Sequence, residues 1–212
     1  MRRARLAGFV VVAALVAMLG AAPASAQEAN EGPSRLRIFL DDTILSPTLT
    51  PKIAFSAALD QHGARPEDEW GTDASDYGKR VAARAGHVLS REAVHHATAA
   101  ALGVDPRGDR SRCGCTNPFK RAGYAFARTF VTRDSSGRTV PNVPLFAGAA
   151  GGAMIASSWY PRDEGPGRDA ARVAVMTVVG QAGANVFREF APDLKRLVTR
   201  KRNTERDASS AR

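Results

Sequence analysis

The sequence predicts an all-α protein: a small bundle of about five helices with a central Gly/Ala-rich helical hairpin. Three observations carry this expectation. Apolar residues recur along the interior of the chain at helical spacing rather than in alternation. Two stretches, 139–161 and 173–187, hold 23 and 15 residues without a charge and are rich in Gly and Ala. Only 35–40 has the look of a strand, and no second strand is evident to pair with it.

The first element is a leader. Arg2, Arg3 and Arg5 precede an uncharged, mostly aliphatic run over 6–20, and Ala24-Ser25-Ala26 supplies small residues for a peptidase pocket. Residues 1–26 therefore read as a cleaved signal peptide, too short to serve as a comfortable membrane span. The expected location is outside the cytoplasm, in the periplasm or cell envelope. Residues 27–48 read as an extended or disordered lead-in.

The helical domain is expected over 49–198. Thr50 with Pro51 looks like an N-cap and first-turn proline, and Gly63 sits where a helix would stop. Ser75 or Asp76 caps a longer helix that runs to Leu102 and ends at Gly103, with Val81, Ala85, Val88 and Leu89 as its apolar side. A third helix follows Pro118 and reaches Arg133, with Phe119, Ala122, Gly123, Phe126 and Phe130 facing a core. Residues 134–137 form a turn by composition.

The two uncharged stretches then form the hairpin. Gly148, Gly152 and Ala156 are spaced four apart, which leaves one helix side almost bare and lets another backbone approach. Val173, Met176, Gly180, Gly183, Phe187 and Phe190 alternate by three and four, a matching seam. Glycine inside a helix costs about 1 kcal/mol relative to alanine, so this many require close packing in return. Pro192 should kink or restart the last helix, and 199–212 reads as a basic disordered tail.

Charge narrows the partners. The chain carries a formal net charge of +9, but residues 195–212 concentrate seven Lys or Arg against Glu205 and Asp207. Without the leader and that tail the protein is close to neutral. Nucleic acid is not an expected partner; an envelope protein or an anionic membrane surface is.

Few residues suggest chemistry. Cys113 and Cys115 are the only cysteines. Separated by one residue, they can close a small disulfide, pair between molecules, or exchange with other thiols. Arg110, Arg112 and Lys120 nearby would favour a thiolate. Glu92, His95 and His96 make one Glu-x-x-His on a helix, a weak metal candidate because two-metal bundles need the motif twice. Arg80, Arg84 and Arg91, with His87 and His95, form a cationic row, and Arg121 and Arg128 form another with Lys120 and Tyr124. Both rows are candidates for binding phosphate head groups or other polyanions. No Gly-x-Ser-x-Gly elbow, Walker phosphate loop or internal repeat occurs. No catalytic residue and no cofactor is assigned.

Several landmarks occur in order: Trp70-Gly71, Tyr77-Gly78-Lys79-Arg80, Asp105-Pro106-Arg107, Arg121-Ala122-Gly123-Tyr124-Ala125-Phe126, Phe130-Val131-Thr132-Arg133, Ser136-Gly137, Tyr160-Pro161 and Glu189-Phe190-Ala191-Pro192-Asp193. Over about residues 50–194 the chain resembles a family of exported, uncharacterised bacterial proteins. That resemblance implies export and a helical domain, and no activity. Gly108 stands where the pattern has an aromatic, and Cys-Gly-Cys lies outside it. The leading expectation is thus a non-enzymatic envelope protein that acts through interactions. A membrane-associated protein, using its hairpin or binding anionic lipid, is the second, and a thiol- or metal-dependent enzyme the third.

Overall fold

In a computed structural model, residues 34–63, 70–109, 113–160 and 166–210 are described. The leader expected at 1–26 lies outside them. The protein is mostly helical, a small bundle: α1 is Arg35–Phe39, α2 Leu49–Gly63, α3 Ala74–Leu102, α4 Pro118–Ala127, α5 Val143–Ala156 and α6 Pro166–Ser210. Strands β1, Val131–Arg133, and β2, Thr139–Pro141, form an antiparallel ribbon with Thr132 opposite Val140. The chain divides into two compact units. One draws on Met1–Pro106 and Val143–Val178, the other on Arg107–Asn142 and Val179–Arg212.

The first unit is organised by α3. Asp73 and Asp76 form a capping box at its start, and Gly103, at φ 65°, ends it as a left-handed C-cap. The lead-in is a correction to the sequence reading: 35–39 is helical, and one π-type turn, Leu40–Ile44, continues it. Leu36, Phe39 and Leu40 are three and four apart, a helical face that the apparent alternation of 35–40 disguises. Ser34 caps it by accepting from the Arg37 N–H at 3.2 Å. Phe39, 2% exposed, packs on Ala93 of α3 and meets the His96 ring edge-on at 5.4 Å.

The bare side of α5 is used, but its partner is α3. A Cβ built on Gly152 would lie 2.6 Å from the Arg91 Cα, and one on Gly148 would lie 2.8 Å from the His95 Cβ. Ala149, Ala153 and Ala156 complete the buried side. The close approach is the one small residues permit. Gly180 and Gly183, expected to nest there, have nothing within 4 Å of a built Cβ. The surface that α3 offers to the α5 glycines is formed by Arg91, Val94 and His95; a Cβ on Gly151 would lie 3.0 Å from Val94 Cγ1. Trp159 closes the end of this pairing, its ring 3.1 Å from where a Gly86 Cβ would sit.

In the second unit, the third predicted helix stops early. After Ala127 comes a 3₁₀ turn, Arg128–Phe130, and then β1. Asp134 fastens the turn between the strands: its Oδ1 accepts from the Ser136 and Arg138 N–H groups at 2.9 Å each. Foremost the Ser136 hydroxyl, which donates to Oδ1 at 2.7 Å, and then the bonds from Arg138 hold the Asp134 pKa down to about 2. Gly137 supplies φ 78°. The unit has a polar interior. Thr129 is almost fully buried; its carbonyl accepts from Asn142 Nδ2 at 3.1 Å and its hydroxyl from Asn185 Nδ2 at 2.9 Å.

Two further expectations change. Pro192 lies inside α6, so the helix does not restart there, although the Arg188 carbonyl loses its donor. The stretch 199–210 of the expected disordered tail is helical as well.

Candidate interaction surface

The cationic row on α3 is turned inward. Arg80, 6% exposed, donates from Nη1 to the Gly71 carbonyl at 2.8 Å and from Nη2 to the Trp70 carbonyl. Arg84 makes a two-pronged bond to Asp60 of α2, both distances 2.6 Å, a geometry that suits a guanidinium and a carboxylate. Arg91 pairs with its neighbour Glu92. These three guanidiniums are therefore committed within the protein.

His87 sits in their midst. It is 7% exposed, and its Nε2 has no hydrogen-bond partner among the described residues. Burial first, then Arg91, Arg84 and Lys52, push its pKa down to about 4. Glu92 shows the opposite balance. Burial raises its pKa, but Arg91, His95 and His96 together hold it below the usual value.

The weak metal motif is dispersed by these contacts. His95 Nε2 carries the proton and donates to the Pro106 carbonyl at 2.8 Å, while His96 faces Phe39. Among the described residues no group of three or more His, Cys, Asp or Glu is placed to hold a metal ion. Cys113 and Cys115 are bonded to one another within the chain, their Cα atoms 5.1 Å apart.

The second cationic row is also engaged. Arg121 Nε lies 3.2 Å from Glu189 Oε1, Nη1 2.8 Å from Asp193 Oδ2, and Nη2 donates to the Glu189 carbonyl at 3.0 Å. Its guanidinium also covers the Phe190 ring at 4.7 Å. These hydrogen bonds raise the Arg121 pKa, that to Asp193 most. Arg128 pairs with Asp109, which Arg133 reaches at 3.2 Å, and with the Tyr124 hydroxyl.

Apolar side chains of α6 are open to solvent as well. Among the described residues one helix segment, Ala170–Arg196, is long and apolar enough to cross a membrane, yet only 11% of its most apolar window is buried. Its inward side carries Ala182, Asn185 and Glu189. The other side carries Met176, Gly180, Gly183 and Phe187, spaced four, three and four apart, all exposed; Phe187 is 65% exposed. The seam residues were legible in the sequence, but their orientation was not. Arg172 and Arg188, not singled out by sequence reasoning, stand at the ends of the uncharged run and are exposed. Phe119 and Phe126 of α4, expected in a core, are likewise exposed. Ala122, Gly123 and Phe130 were assigned to that same face; the inward side of α4 is instead set by Arg121 and Ala125.

No family model, curated protein or solved structure matches the chain.

Proposed function

We propose that this is an exported, non-enzymatic protein that acts by interaction at the cell envelope. The observation that carries the reading is the exposure of large apolar side chains along α6: Val175 and Met176 are 61% exposed, Val179 59% and Phe187 65%. Single exposed apolar residues are ordinary, whereas several on one helix point to a binding role. The export half of the proposal rests on the composition of residues 1–26. The non-enzymatic half rests on the sequence, in which no catalytic residue is assigned; the arginines considered there for anion binding, Arg80, Arg84, Arg91, Arg121 and Arg128, have internal partners.

The test is fractionation combined with photocrosslinking in intact cells. A photoreactive residue at Phe187 is expected to capture an envelope component, while one at Lys79, exposed on α3, captures none. Recovery of the protein in the cytoplasmic fraction, or equal labelling at both positions, sinks the reading.

A further inference from the structure

We infer that the Cys113–Cys115 disulfide is a thiol-exchange site, which takes two electrons from reduced thiols of other molecules. This activity stands beside the interaction reading and is independent of it. Every residue it uses belongs to the unit of Arg107–Asn142 and Val179–Arg212.

Three observations converge. The sulfurs are not enclosed: Cys113 and Cys115 are half-buried, and Gly114 between them is exposed, with nothing within 4 Å of a built Cβ. The bond joins no two elements of the fold. It spans a single residue and lies outside every helix and strand. Among the described residues no hydrogen bond or ion pair ties 113–116 to the rest of the unit. The helix that follows is started by other means, since Asn117 Oδ1 accepts from the Phe119 and Lys120 N–H groups at 2.9 and 3.2 Å. Finally, closing so short a loop removes little freedom from the unfolded chain.

These facts bear on how readily the bond is reduced. A structural disulfide resists reduction because the fold holds its two sulfurs together, and by linkage the bond stabilises the fold by the same amount. Here the fold gains next to nothing from the bond, so the bond gains next to nothing from the fold. It is poised like the disulfide of an open peptide rather than like a bridge between elements, and ordinary thiols can open it.

The chemistry balances without a cofactor. A thiolate attacks one of the two sulfurs, the S–S bond breaks, and the other sulfur leaves as a thiolate. A second thiolate of the partner then attacks the mixed disulfide and releases the remaining cysteine. Two partner thiols are oxidised to a disulfide; their two electrons and two protons end on Cys113 and Cys115.

The experiment equilibrates the oxidised full chain with mixtures of reduced and oxidised glutathione, quenches with acid, alkylates the free thiols and reads the dithiol fraction by mass. Partial reduction at millimolar reduced glutathione is expected. The glutathione mixture that gives half reduction should agree within about threefold between buffer and concentrated urea, because the fold does not guard the bond. Thermal midpoints of the oxidised and reduced chains should coincide. Cys115→Ser should take up one glutathione at Cys113 from oxidised glutathione. A bond that stays closed in buffer and opens only in urea overturns the inference. So does a reduced chain that melts well below the oxidised one, which marks a structural staple, or a Cys115→Ser chain that takes up no glutathione, which puts the sulfur out of reach. None of these results involves Phe187, so the interaction reading stands or falls by its own crosslinking test.

Discussion

Gly152 of α5 rests on the backbone of Arg91 in α3: a methyl group at 152 would lie 2.6 Å from the Arg91 Cα and 2.8 Å from its N. No rotation of a side chain relieves such a contact. The two helix axes are as close as they are because position 152 has no Cβ.

The first prediction contrasts this glycine with those on the open helix. Gly152→Ala should destabilise the protein by about 1–3 kcal/mol, the usual cost of overpacking. Gly180→Ala and Gly183→Ala meet nothing within 4 Å and should stabilise by up to about 1 kcal/mol each through helix propensity. Urea denaturation of the three variants is the check. Equal effects at 152 and 180 would show that the packing partner is misassigned.

A second prediction concerns acid. His87 is depressed from 6.5 to about 4 by burial and by Arg91, Arg84 and Lys52. In the unfolded chain it takes up a proton near 6.5, so the unfolded state binds more protons between the two values. The associated stability is whole above 6.5 and is lost as pH falls toward 4, by about 3 kcal/mol if fully expressed. Glu92, whose pKa is lowered, adds its own loss only below 4.5. His87→Gln should flatten the stability curve between pH 6.5 and 4.5. An unchanged slope would mean that His87 is not neutral in the folded protein.

The third prediction addresses Arg121. Removing it leaves Glu189, 7% exposed, without its cation. Arg121→Ala should lower the denaturation midpoint clearly, because the carboxylate of the buried Glu189 is left unpaired, whereas Lys120→Ala, on the exposed side of α4, should leave it close to that of the parent. Adding Glu189→Gln to Arg121→Ala should recover part of the loss, since the orphaned charge is then gone. Denaturation midpoints of the four proteins test this; failure of the second change to help would indicate that Arg121 acts mainly through Phe190.

Much of the helical framework was legible in the sequence. Gly103 marked the end of α3 and Gly63 that of α2, because backbone preference decides those ends; the starts lie a residue or more earlier than the sequence suggests, since Asp73 rather than Ser75 or Asp76 caps α3 and Thr50 lies inside the first turn of α2. The choice of partner for α5 was not legible. Gly148, Gly152 and Ala156 announce a close approach without saying to what, and both α3 and α6 present small residues. Nor could periodicity orient α4, since Phe119 and Phe126 look like core anchors until Arg121 is seen to face Glu189 and Asp193. The helix at 35–39 was hidden because Leu36, Ile38 and Leu40 also alternate. The inward turn of Arg80 and Arg84 depends on carbonyls and a carboxylate supplied by Trp70, Gly71 and Asp60, which no pattern within α3 reveals.

The account depends on Phe187 of α6 being uncovered in water and covered by a partner at the envelope. The most direct measurement is aqueous quenching of a fluorophore at Phe187→Cys in a Cys113→Ser/Cys115→Ser background, with and without isolated cell envelopes. The expected result is full quenching in buffer and protection on the envelopes. A probe already shielded in buffer, or one equally quenched on the envelopes, would contradict it.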